Sequence, residues 1–172
     1  MSNPSAFPKA ARFDIHSVPM FLLQAGDRSE LLICKAKMQV NTSEPKRDAQ
    51  RRRQIDVEVL DWVATGKSRM LGGRVEFRMT PSRGHKSWVR AGREGDLPGV
   101  ARFAMRYQVT TPQGTVTGLT GIASGPISAF PPRGDLFKIT KKLKIGELSV
   151  IPVACMCPAD FLVSIEEGIV VG

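Results

Sequence analysis

The stretch Gly99-Val-Ala-Arg-Phe-Ala-Met-Arg-Tyr-Gln-Val-Thr-Thr-Pro-Gln-Gly-Thr-Val-Thr-Gly-Leu-Thr-Gly-Ile122 decides the fold class. Phe103, Met105, Tyr107 and Val109 fall two apart, with Arg102, Arg106, Gln108 and Thr110 between them and Ala104 as the neutral exception. Side chains alternate across a strand, so this spacing makes one apolar and one wet face, whereas a helix would scatter the same residues. Thr111-Pro112-Gln113-Gly114 turns the chain, because proline pre-sets φ at the second turn position and glycine accepts a left-handed backbone. Thr115-Val116-Thr117 resumes with β-branched residues suited to a pleated surface. Gly118 and Gly121 interrupt the return strand and read as a bulge or bend.

Working outward, Phe13, Ile15 and Val18-Pro19-Met20-Phe21-Leu22-Leu23 read as a first strand, in which Pro19 lacks an amide donor and demands an edge or a bend. After a turn at Ala25-Gly26-Asp27-Arg28, a second strand carries Leu32, Cys34, Ala36, Met38 and Val40 on one face, and the two segments suit a hairpin. Asn41 to Gln54 has no apolar face to bury and reads as an exposed loop; a short helix from Pro45 to Arg52 is compatible with it. Ile55, Val57 and Val59 then alternate with Asp56 and Glu58, but Leu60 and Trp62 fall on the other phase, as a bulge or a doubly buried strand would require. Val75, Phe77 and Met79 make a further strand. Thr80 to Pro98 is long, polar and rich in Gly and Pro, with a brief strand around Ser87–Arg90. Beyond the hairpin, Ile127–Phe130, Leu136–Thr140 and Leu148–Val153 read as strands, Arg133-Gly134-Asp135 as a turn, and Cys155-Met156-Cys157-Pro158 as irregular. Phe161, Val163 and Ile165 alternate again, and the tail Gly168–Gly172 is apolar.

Short strands punctuated by Gly and Pro, with no amphipathic helix between them, predict an all-β chain: a single-domain antiparallel β-sandwich or flattened β-barrel with little helix. The 172 residues suit one domain, read as a flexible arm over 1–12 followed by a β domain over 13–172. No apolar run is long enough to span a bilayer, the first residues lack the apolar segment of a signal peptide, and three cysteines make a closed disulfide framework unexpected. Together these features lead to an expected cytoplasmic location.

Charge is concentrated along the chain. Thirteen Lys and Arg against five Asp and Glu lie between Lys46 and Arg93, and they account for nearly all of the formal excess of +9. Catalytic signatures are missing from the sequence: there is no Gly-x-Ser-x-Gly elbow, no Walker motif and no dinucleotide fingerprint, and Ser87 near His85 has no local acidic support. The Cys155-Met156-Cys157 spacing is tighter than a structural zinc pair and has no second pair, so neither a metal nor a cofactor is expected.

The leading expectation is a non-catalytic β domain that binds a small anionic or amphipathic ligand at a loop-covered mouth. His85, Trp88 and Arg90 share the long loop, and the planar fork of Arg90 suits a carboxylate or phosphate. Trp62 and Tyr107 offer apolar walls with polar tips, or simply core. One alternative is nonspecific nucleic-acid binding through a basic face at Arg51, Arg52, Arg53, Lys67 and Arg69. Another is a structural subunit of a homo-oligomeric assembly, which the proline-marked edges and apolar tail would fit.

Overall fold

In the computed structural model, which describes residues 6–81, 84 and 86–157, the 99–122 hairpin forms as two long paired strands. The described residues contain twelve strands and no helix: β1 (Arg12–Ala25), β2 (Arg28–Ile33), β3 (Lys35–Thr42), β4 (Lys46–Arg47), β5 (Arg53–Ser68), β6 (Gly73–Thr80), β7 (Ser87–Arg90), β8 (Gly99–Thr111), β9 (Gly114–Ile127), β10 (Asp135–Thr140), β11 (Leu143–Ile145) and β12 (Leu148–Cys157). Eight of them pair in the order β12-β10-β9-β8-β6-β5-β3-β1, and β1 pairs back onto β12. The chain is therefore an antiparallel barrel closed on itself, with β2, β4, β7 and β11 as additions to the ring. Closure removes the exposed sheet edges that an open sandwich would have to protect.

Local rules account for the long strands. In β8 the alternation places Phe103, Tyr107 and Val109 inside, while Arg102 and Arg106 face out. Gly118 has φ +73 where two residues of β9 oppose one of β8, which is the bulge that glycine permits. In β5, Val59 pairs with Val40 but Trp62 pairs with Met38, so Leu60 is the extra residue that carries the phase slip. Pro19 sits where β1 exchanges β3 for β2 as its neighbour, and its carbonyl accepts the Cys34 amide at 2.9 Å. Leu23, Val40, Ile55, Val75, Phe77, Val89, Ala101 and Val109 are essentially solvent-free inside the ring. Each large aliphatic or aromatic member stabilises the fold by about 1.5–3 kcal/mol through burial.

Three local expectations are corrected. Residues 45–52 form no helix: β4 is followed by a turn in which the Asp48 carboxylate accepts the amides of Gln50 and Arg52, and Arg51 has φ 64. A helix there would have had no apolar face to bury. Cys155-Met156-Cys157 is not irregular, since it is the end of β12 and pairs with both β1 and β10. Within the stretch read as an arm, Phe7 is buried in the core and its amide donates to Asp96 Oδ2 at 2.8 Å. The alternating Phe161, Val163 and Ile165 and the tail Gly168–Gly172 lie outside the described residues.

Candidate functional site

The barrel wall has a break, and backbone pairing defines it. β5 pairs with β7 through Gln54–Val57 and with β6 through Val63–Ser68, which leaves 58–62 without a partner on that side. β8 pairs with β7 through Val100–Arg102 and with β6 through Arg106–Thr110, which leaves 103–105 equally bare. β6 ends at Thr80 and β7 begins at Ser87, and a cleft of about 600 Å³ opens between these strand ends. Its apolar lining includes Val57, Val59, Met79, Met105 and Trp88; its polar lining includes Lys46, Asp56, Glu58, Lys86 and Arg106. Lys46 forms an ion pair with Asp56. Burial pushes the Asp56 carboxyl up, but hydrogen bonds from Lys46 and Gln54 outweigh it and hold the group below the usual carboxylate range.

Behind the cleft lies a second space. A cavity of about 80 Å³ inside the ring is lined by Phe21, Met38, Trp62, Phe103, Tyr107 and Phe137, with Ser17, Cys155 and Cys157 as its small polar members. Met105, with its unbranched and flexible side chain, lines both the cleft and this cavity. Trp62 and Tyr107 meet edge to face at 5.8 Å between ring centroids, and Phe77 stacks on Phe21 at 4.7 Å. Burial pushes the Tyr107 phenol up to about 12. Burial likewise lifts the Cys155 thiol to about 11, partly offset by a hydrogen bond from Ser17.

The residues singled out from sequence divide between these spaces. Trp62 and Tyr107 face the interior cavity. Trp88 and Arg90 lie on β7, and Trp88 lines the cleft opposite Asp56 in register. Arg90 Cζ sits 3.9 Å from the centroid of the Trp88 ring, and its Nε donates to Gln54 Oε1 at 2.8 Å. Arg90 thus holds the indole in place. His85 lies outside the described residues.

The basic residues named for the nucleic-acid alternative are spread along β5 and its flanking turns, and Arg52 and Arg53 carry acidic partners. Arg53 donates from Nε to Asp96 Oδ1 at 2.8 Å, and Arg52 pairs with Asp48 at 3.3 Å. Lys67 lies near the far end of β5 from Arg53, about 45 Å along an extended strand. The amide of Arg69 donates to Glu30 Oε2 at 2.9 Å. Met79, Lys86 and Met105 line the cleft but were not singled out by sequence reasoning. The signal that could have found the place is Ala104, the small residue that breaks the charged alternation of β8 beside the gap.

No protein-family model matches the chain, and no curated protein matches it significantly. Among solved structures it is similar to that of DynF from the dynemicin biosynthesis pathway of Micromonospora chersina, with a TM-score of 0.62 and 15% sequence identity over 91% of this chain and 83% of that one. At this identity the likeness is one of fold. It extends over nearly the whole barrel. Among the described residues there is no group of three or more His, Cys, Asp or Glu that could hold a metal ion, and no helix is long and apolar enough to cross a membrane.

Proposed function

We propose that the chain is a non-catalytic barrel that binds a small amphipathic, anion-bearing molecule through the break in its wall. The observation that carries this reading is the shared position of Met105, which lines both the outer cleft and the inner apolar cavity. The cleft is in the size range of small-molecule sites, and its lining combines apolar and charged side chains. Trp88 supplies an apolar wall fixed by Arg90, and Lys46, Lys86 and Arg106 supply positive charge. An apolar ligand body would displace Met105 toward the cavity, while the anionic group would remain at the rim. The barrel likeness to DynF, a protein of a biosynthesis pathway, is compatible with this use of the fold.

The test uses 1-anilinonaphthalene-8-sulfonate, which is aromatic and anionic, and follows energy transfer from tryptophan. The chain has two tryptophans, Trp62 at the cavity and Trp88 at the cleft. Saturable binding is expected, weakened by Met105→Trp, which fills the passage, and by Trp88→Ala, which removes the wall. Absence of saturable binding, or affinity unchanged from the parent in both variants, overturns the reading.

A second reading, self-association, has a separate observation behind it. Leu136 and Met156 are cross-strand partners on the outside of the barrel and are 58% and 40% exposed, and Leu31 and Val153 are exposed as well. Light scattering of the full chain over a range of concentrations tests it, and a constant monomer mass removes it.

A further inference from the structure

A shallower depression of about 260 Å³ lies on the outer face of β8 and β9 and shares Lys86 and Ala104 with the cleft. Three cations converge on it: Lys86, Arg102 and Lys141. The depression exists because its floor is small. Ala104 sits between Arg102 and Arg106 on the outward face of β8, and Gly121 and Thr120 continue the floor on β9.

Two of the three charges are held by neutral acceptors, and the third, Lys86, also faces Asp56 across the cleft. The guanidinium of Arg102 donates to the Lys86 carbonyl at 2.7 Å, and the ammonium of Lys141 donates to the Thr120 hydroxyl at 2.9 Å. Both acceptors are neutral. None of the three cations has a carboxylate within 4 Å among the described residues, whereas Lys46, Arg52, Arg53 and Arg90 all do. Lys141 also adopts φ 77, a left-handed backbone that a residue with a Cβ enters at a cost. That conformation follows directly on the end of β10, and the Lys141 ammonium lies back over β9. The Arg102 and Lys141 donors are already held beside a floor of Ala104, Thr120, Gly121 and Ile122, so they have little side-chain entropy left to lose on meeting an anion.

We infer that this depression binds a phosphate-type oxyanion carried on a small soluble molecule. Three positive charges exceed what one carboxylate can balance, and a group with two or more negative charges and oxygens on several sides can engage all three donors at once. The depression shares Lys86 and Ala104 with the cleft but needs neither the interior cavity nor displacement of Met105, so the Trp88→Ala control below distinguishes it from the proposed ligand reading.

The experiment titrates the full ¹⁵N-labelled chain with inorganic pyrophosphate at low ionic strength, where screening is weakest. Saturable amide shifts centred on Thr120, Gly121 and Ile122 are expected. Arg102→Gln and Lys141→Gln should each weaken binding by about tenfold, as loss of one charge-assisted hydrogen bond implies. Trp88→Ala, in the cleft, should bind as the parent does. Shifts centred on Arg51–Arg53, or no saturable shift at all, overturn the inference without recourse to any variant. Binding of a single-stranded oligonucleotide without binding of pyrophosphate overturns it as well, and assigns the cations to nucleic acid.

Discussion

The Ser87 hydroxyl takes the place of a missing strand beside Ala104: its Oγ accepts the Ala104 amide at 2.8 Å and donates to the Ala104 carbonyl at 3.3 Å. Ala104 lies in the stretch of β8 that neither β6 nor β7 reaches. Both residues are buried, so water does not substitute freely. Ser87→Ala leaves a donor and an acceptor unsatisfied and is expected to cost about 1–3 kcal/mol. Urea unfolding checks this, and an unchanged midpoint would mean that the break is already hydrated.

Asp96 ties three distant parts of the chain together. It accepts the Phe7 amide and the Arg53 guanidinium, and Phe7 is buried in the core. Burial pushes the Asp96 carboxyl up, but the bonds from Arg53 and Phe7 outweigh it and hold the group below its ordinary value near 3.8. A depressed carboxylate contributes stability that is present above its unfolded value and is lost as pH falls through the folded one. Asp96→Asn is expected to lose about 1–2 kcal/mol at neutral pH, kept small because Arg53 is half exposed and screened. The gap between the urea midpoints of parent and variant should narrow as pH falls below 3.8. A gap that stays constant with pH would remove the ionic part of this account.

Much of the barrel was legible in the sequence because it is local. Period-two alternation identified β8, Pro112 and Gly114 its turn, and the phase slip at Leu60 the bulge in β5. Closure was not legible. β1 meets β12 more than a hundred residues away, and nothing local reports that pairing. Pro152 and Pro158 also disguised the end of β12 as irregular chain. The candidate site was half legible for a related reason. Trp88 and Tyr107 were grouped by residue type, but a four-residue strand is too short to show its phase, and pairing places Trp88 beside Asp56 on the outer side. The thirteen cations were countable in the sequence, but the pairing of Arg52, Arg53 and Arg90 with Asp48 and Asp96 depends on turn geometry and on long-range contact.

Tyr107 is the single tyrosine, so its ionisation can be followed alone. Burial among Trp62 and Phe77 raises its phenol from 10 to about 12. A raised acid contributes stability that is full below the unfolded value and disappears as pH rises through the folded one. Phenolate absorbance is therefore expected to stay flat past pH 10 and to appear only toward about 12, together with unfolding. Titration near 10 with the fold intact would show that the cavity admits water to the hydroxyl.

All three cysteines are free and buried, and they report on the seam that closes the barrel. Burial lifts the Cys34 thiol to about 12 and Cys155 to about 11, and it raises Cys157 as well. Only the thiolate attacks a disulfide reagent, so at about pH 8 Cys155 offers roughly one reactive molecule in a thousand, before access is considered. Ellman's reagent is therefore expected to modify none of the three quickly in the native protein, and all three after denaturation. Cys155 pairs with Pro19 across the β1–β12 closure, and Pro19 has no amide to give to that ladder. Its modification rate consequently measures opening of the seam. A rate for Cys155 equal to that of Cys34 and to global unfolding would show that the ring opens as one unit. Faster reaction at Cys155 alone would locate the weakest pairing of the barrel at Pro19.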